Sequence, residues 1–314
     1  MVVAAGAVPA LTAALCDVAS SDDTKGWCSR TLADIVEKAA DGAAVVVAAG
    51  AVPALTAVLR DVASSDSTKR ACSTALADIV EKAADGAAVV VAAGAVPALT
   101  AALRDVASSD GTKGCCSRAL DRIVEKAADG AAVVVAAAAV PALTAALCDV
   151  ASSDRAKRWC SGALAEIVEK AGDGAAVVVA VGAVSALTST LRDAGTSDVT
   201  KSWCAVALAH IAARSSDNAA VLVADGVFSA LTASLMDGAS SHRKKKCCAH
   251  ALAVVVRACS GGAAAVVASV SAIGAVSALP LTATAHEGAA AHVKVRVNCA
   301  ARVMTIRIAS LFEL

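Results

Sequence analysis

Residues 49–55 read AGAVPAL, and the longer phrase GAVPALTAAL stands at Gly6 and again at Gly94. A glycine followed by an apolar run with an early proline is the punctuation of one helix ending and another beginning. Glycine accepts the left-handed backbone that stops a helix, and proline fits the first turn, where its missing amide costs nothing. The same place recurs at Gly6, Gly50, Gly94, Ala138, Gly182 and Gly226, each 44 residues after the last. A worn seventh copy starts at Gly274 after a four-residue insertion. A fixed period of this length signals a repeat solenoid, in which each unit buries its apolar face only against its neighbours. The expectation is therefore one elongated array over residues 1–314, with units beginning near 6, 50, 94, 138, 182, 226 and 274. Its N-terminal unit is truncated, because Met1 falls inside a first segment, and its C-terminal unit is degenerate.

Each unit resolves into three segments. The first, Asp41 to Ala49, starts with an N-cap candidate and ends at Gly50, so it reads as a short helix. Val45, Val46 and Val47 oppose that reading by roughly 0.5 kcal/mol each, and parallel strands of an α/β array are the rival reading of such runs. The second segment carries Val52, Leu55 and Leu59 on one helical face, with Pro53 in its first turn. The third has the clearest period: Cys28, Leu32, Ile35, Val36 and Ala39 form a single apolar stripe. Cys recurs at 72, 116, 160, 204 and 248, and Cys299, Val303 and Ile306 fit the same template, which extends the array to the C-terminus. Asp17 to Asp22, with Ser20 and Ser21, supplies the turn and cap before the third helix.

The composition is 58% hydrophobic and 2% aromatic, so the core is built from Ala, Val, Leu and Cys, and stability is summed over many modest interfaces. Net charge is zero, yet residues 1–236 hold 19 Lys and Arg against 25 Asp and Glu, while residues 237–314 hold 9 against 3. Residues 2–15 look like the apolar part of a signal peptide but recur internally, and no basic residue precedes them. The uncharged run from Ala258 to Ala285 is long enough to span a bilayer, but Ser, Thr, Gly and Pro280 dilute it and the repeat register accounts for it. No transmembrane segment is expected.

A short helix ending in Gly, a second helix opening GAVPAL and a long third helix with an AL-x-x-I core together resemble an armadillo repeat. The resemblance covers nearly the whole chain and points to no single member among importin-α-type and β-catenin-type repeats. It implies an all-α, right-handed solenoid of about seven three-helix units, whose third helices line a concave groove that holds an extended peptide. Importin-type adaptors carry a Trp and, four residues on, an Asn on that groove. The matching pairs here are Arg30/Asp34, Thr74/Asp78, Arg118/Arg122, Gly162/Glu166, Val206/His210 and His250/Val254, with neither Trp nor Asn among them. Import-adaptor activity is the weaker alternative for that reason. A third is a structural fragment left by tandem duplication, since the first four units are nearly identical.

The leading functional expectation is an intracellular scaffold, in cytoplasm or nucleus, that binds a peptide or helix of another protein along the concave face. Trp27, Trp159 and Trp203 share one column of the third helix and offer area and an N–H donor; packing on the adjacent repeat is the alternative. Asp34, Asp78 and Glu166 belong to a mildly acidic track that Arg118 and Arg122 interrupt, and Asp34–Lys38, Asp78–Lys82 and Glu166–Lys170 are spaced for helical ion pairs. His210 and His250 fall on adjacent groove positions. Arg243, Lys244, Lys245 and Lys246 make a basic run that suits an anionic contact or only a solvated helix start.

The twelve cysteines lack zinc spacing, and equivalent ones stand a helix spacing of about 8–10 Å apart, beyond disulfide reach. That points to a reducing compartment. Neither cofactor, metal, nucleic acid nor catalytic role is expected, because phosphate loop, nucleophile elbow and metal signatures are missing from the sequence.

Overall fold

A computed structural model describes residues 6–259 and the backbone of 293–299 and 302–308. The first unit supplies α1 (Ala7–Cys16) and α2 (Asp22–Lys38). Then follow α3 (Gly42–Ala48), α4 (Ala51–Arg60) and α5 (Asp66–Lys82), and next α6 (Gly86–Ala92), α7 (Ala95–Arg104) and α8 (Asp110–Lys126). The fourth unit is α9 (Gly130–Ala136), α10 (Ala139–Cys148) and α11 (Asp154–Lys170). Two more units run through α12 (Gly174–Ala180), α13 (Ala183–Arg192), α14 (Asp198–Arg214), α15 (Ser216–Ala224), α16 (Val227–Met236) and α17 (His242–Ala258). Each long helix packs on the next, α2 on α5 through to α14 on α17, and the middle and short helices form two further stacks. This is an all-α solenoid, and the valine runs are helical rather than extended.

The hinge before α4, α7, α10, α13 and α16 adopts the left-handed backbone, with φ of 69° at Gly50 and 66° at Gly94, where the chain bends by 75° and 76°. The short helices begin differently from the sequence expectation. Asp41 makes no side-chain cap. Instead Gly42 follows so tightly on the preceding long helix that an added Cβ would lie 2.1 Å from Ile35 O, so the turn is closed by a missing side chain. In the sixth unit Asn218 takes that place and its Nδ2 donates to Ile211 O at 3.3 Å.

The core follows the repeated stripe. Cys72, Leu76 and Ile79 are wholly buried, as are their counterparts Cys116, Leu120 and Ile123. Truncating one such Leu to Ala costs about 2–5 kcal/mol, because adjacent helices cannot collapse onto the gap. Burial pushes the Cys72, Cys116 and Cys160 thiols up to about 12, so they serve as small apolar residues. Ser29, Ser73 and Ser117 approach them across the helix stack at 3.2–3.3 Å.

The expected helical tail is corrected by a hairpin. β1 (Val293–Cys299) pairs antiparallel with β2 (Arg302–Ile308), with Val293 opposite Ile308 and Cys299 opposite Arg302. The alternation in VKVRVNC, with β-branched valine at every second place, is a strand pattern that outweighs the three anchors Cys299, Val303 and Ile306. The seventh unit expected from Gly274 and most of the uncharged run Ala258 to Ala285 lie outside the described residues. Among the described residues no single helix is long and apolar enough to cross a membrane.

Candidate functional site

The long-helix layer is held in register by one contact repeated at each step. The N-cap serine of every long helix accepts from a backbone amide of its first turn, as Ser65 Oγ does from Thr68 N–H at 3.3 Å. The same serine donates its own N–H to the carboxylate that opens the preceding long helix. Ser65 donates to Asp22 at 3.1 Å, Ser109 to Asp66 at 2.8 Å, and Ser197 to Asp154 at 2.8 Å. Burial works to raise the Asp66 carboxyl, but hydrogen bonds from Ser109 and Thr112 prevail and hold it below its usual range. Successive long helices are thereby held in register, so residues 44 apart form columns along the layer.

The tryptophan column does not behave uniformly. Trp27 is 65% exposed, with the Arg30 guanidinium 5.1 Å from its ring centre. Trp159 is half-buried between Arg122 of α8 at 5.2 Å and Arg158 of its own helix at 4.8 Å. Trp203 is half-buried against the core, with Arg243 of α17 at 5.9 Å. Each such cation–ring contact contributes about 0.5–2 kcal/mol. The rings are thus both packed between repeats and partly open.

The acidic track is more heavily neutralised than its spacing implies. Arg118 reaches across to Asp78 at 2.8 Å and Glu81 at 2.7 Å. Asp78 is only 9% exposed, and burial raises its carboxyl despite the Arg118 charge. Arg122 pairs with Glu125 and approaches Glu81 at 3.9 Å. The Asp34–Lys38 and Glu166–Lys170 pairs form at 3.3 and 3.1 Å. The expected Asp78–Lys82 pair does not, because Lys82 Nζ donates to Glu37 O at 2.7 Å, neutralising the C-terminal end of the previous long helix. His210 lies 3.2 Å from Ala165 O and 3.8 Å from Glu169, whereas His250 is exposed. Partial burial, then Arg257 and His210, lower the His250 imidazole.

The basic run also changes character. Lys244 is 2% exposed and bridges Asp198 at 2.8 Å and Asp237 at 3.3 Å, which commits its ammonium to carboxylates of the chain itself. It occupies the column of the small, buried Thr68 and Thr112, so its ammonium meets the carboxylate that opens α14. Arg243 stacks on Trp203, leaving Lys245 and Lys246 as the remaining cations of that run.

Sequence reasoning passed over Asp121. It is 7% exposed, in a column that otherwise reads Ala33, Ala77, Ala165 and Ala209. Among the described residues no hydrogen-bond donor reaches its carboxylate, and burial, opposed by Arg122, pushes it up to about 7. Facing it on α11 is Gly162, where an added Cβ would stand 2.8 Å from Asp121 Oδ1 and 4.0 Å from Trp203. The signal was available as a charged residue in an alanine column. Among the described residues no group of three or more His, Cys, Asp or Glu is placed to hold a metal ion.

Three stacked helix layers with a fixed unit length define an α-solenoid. Comparison with known proteins makes the class specific: the chain has the armadillo-repeat fold. It is similar to an engineered protein at 23% identity and TM-score 0.71, matching 80% of this chain and 97% of that one. It is similar also to a computationally designed armadillo repeat protein for modular peptide recognition, at 21% identity and TM-score 0.70 over 79% of this chain and 99% of that one. A designed armadillo repeat protein solved in complex with the peptide (KR)4 matches at 21% identity and TM-score 0.69, over 79% and 99% of the two chains. No family model and no curated protein matches the sequence.

Proposed function

We propose that the chain is an intracellular, non-catalytic scaffold that binds an extended, basic peptide of another protein along the long-helix layer. The observation that carries this reading is the pair of half-buried rings, Trp159 and Trp203, standing one repeat apart beside Asp121 and Glu166. Rings held by neighbouring guanidinium groups present a fixed apolar wall, and peptide side chains lying between successive rings bury area there without ordering the protein first. Similarity to a designed protein that holds (KR)4 supports a cationic ligand. Free thiols, including the exposed Cys16 and Cys148, support a reducing compartment.

The test is fluorescence anisotropy with a labelled octapeptide of alternating Lys and Arg and with an alternating Asp and Glu control. Saturable binding of the basic peptide alone is expected, weakened about 30-fold by Trp203→Ala, the ratio for a loss of about 2 kcal/mol at an anchor residue. Equal binding of both peptides, or full affinity after Trp159→Ala and Trp203→Ala with melting temperature unchanged, refutes it.

A further inference from the structure

We infer that the chain pairs edge to edge with a second copy of itself, the exposed valine of each turn between a middle and a long helix entering a cleft between two middle helices of the other copy. The surface belongs to the middle-helix layer and its turns, so the inference is independent of the peptide reading above. Val18, Val62, Val106 and Val150 stand 44 residues apart and are 93%, 93%, 95% and 94% exposed. The next most exposed large apolar side chain among the described residues is Trp27, at 65%. The turn itself does not need the valine. Asp61 Oδ1 accepts from Ala63 N–H at 2.9 Å and Ser64 Oγ donates to Val58 O at 2.9 Å, so the residues on either side of Val62 hold the turn. Single exposed valines are ordinary, but four at one spacing along one edge form a row.

Apolar clefts alternate with these turns. A cleft of about 340 Å³ opens between α4 and α7, lined by the buried Leu59, Ala98 and Ala102 and by the exposed Val62, Pro97 and Ala101. Its charged lining is already engaged, Lys69 with Asp105 at 3.3 Å and Arg60 with Gly94 O at 2.6 Å. The same columns place Pro53 and Ala57 between Val18 and Val62, and Pro141 and Ala145 between Val106 and Val150. Both features stop together: the next turn carries Ala194 and Gly195, and the next middle helix carries Ser185 and Ser189. Pitch selects the occupant. Valines and clefts each recur once per unit, and a second copy carries valines at that same spacing. Set antiparallel about a two-fold axis and shifted by half a unit, three valines of each copy meet the three clefts of the other, and the fourth overhangs. Such an interface is isologous and closes as a dimer. Three steps of about 8–10 Å and a width of two helices, about 20–24 Å, give a band of about 500–700 Å². Interdigitation adds to that area, which brings it near the roughly 800 Å² per partner of a standard interface and suits a reversible dimer.

The experiment is sedimentation equilibrium of the full chain from about 1 μM to about 1 mM, with and without sodium sulfate. Wild type is expected to show a reversible monomer–dimer equilibrium that sulfate tightens, because apolar burial drives it. V62K and V106K place an ammonium in an apolar cleft, and A101W fills a cleft from its exposed wall. Each should weaken dimerisation about 30-fold or more, since every substitution counts twice across the two-fold axis. All three positions are exposed, so circular dichroism should be unchanged. One of V18K and V150K, the overhanging end of the row, should dimerise as wild type does. V62K should still bind the alternating Lys and Arg octapeptide with wild-type affinity, which separates this surface from the peptide site. A wild type that stays monomeric to the highest concentration overturns the inference. So does dimerisation of V62K and A101W at wild-type strength, or an association that salt weakens, which would mark pairing of the acidic and basic ends instead.

Discussion

Ala138 is the single non-glycine among the described residues with a positive φ, at 52°. Equivalent hinges carry Gly50, Gly94, Gly182 and Gly226, all left-handed. An L-residue in that conformation sets Cβ against the following carbonyl at a cost of about 1–2 kcal/mol, which glycine avoids. Ala138→Gly also frees the unfolded chain, which offsets about 0.4–1 kcal/mol. A further relief acts at the crowded hinges: an added Cβ would lie 2.5 Å from Arg60 Nη2 at Gly94 and 2.8 Å from Arg192 Nη2 at Gly226. Arg104 donates in the same way to Ala138 O. We expect A138G to stabilise the array by about 1 kcal/mol, read as a higher urea midpoint by far-ultraviolet circular dichroism with an unchanged slope. Two controls calibrate it. G182A faces open space and should lose only the backbone term, whereas G94A should lose more because it meets Arg60. An unchanged or lower midpoint in A138G, alongside a destabilised G182A, refutes the reasoning.

The same arginine column predicts that Cys148→Arg stabilises. Arg60 and Arg192 donate to Gly94 O at 2.6 Å and Gly226 O at 2.8 Å, and Cys148 leaves Gly182 without that contact. A gain of about 0.5–1.5 kcal/mol is expected in thermal melts, and a loss would show that the arginine stem does not fit. Asp121 carries a pH dependence of unusual sign. Its folded carboxyl lies at about 7 and its unfolded one at about 3.9, so the native state keeps a proton that the unfolded chain gives up. Stability should therefore fall as pH rises through that window. D121N should remove the slope and gain up to about 4 kcal/mol above it; parallel profiles for the two proteins sink this. Asp198 has the opposite sign, since the Lys244 hydrogen bond holds it at about 2. Its contribution is present above about pH 4 and lost as pH falls through about 2. Lys244→Met should flatten that acid limb in a melting-temperature profile, and an unaltered limb would place the acid sensitivity elsewhere.

What could be read from the sequence was whatever the period repeats. Cys72, Leu76 and Ile79 recur in one order because each long helix meets the same neighbours, so their burial follows from spacing alone. Other features needed coordinates, since they depend on contacts between units. Lys82 stands four residues after Asp78, yet its Nζ donates to Glu37 O of the previous long helix, whose last carbonyls lack internal partners. Lys244 belongs to a run of cations in sequence, yet its column points inward to Asp198. The tail departs from expectation because the alternating valines of β1 specify a strand more strongly than three anchors of a degenerate stripe specify a helix.

In a repeat array the informative residues are those that break the column they stand in, because a packing role is already answered by the consensus residue. Cys148 and Ala138 break theirs by weakening a hinge, with nothing gathered around the change. Asp121 breaks its column with a buried acid, and Gly162 breaks the facing column where an added Cβ would stand 2.8 Å from the Asp121 oxygen. Either alone costs stability: the acid through its missing partner, the glycine through helix propensity. Their coincidence on adjacent helices beside Trp203 is a packing match, since a side chain at 162 would collide with the Asp121 oxygen. Selection for stability alone would restore alanine at both positions. A D121A and G162A double variant should therefore melt higher than wild type, and one that melts lower would show that the acid and the glycine pack better together than the alanines that replace them.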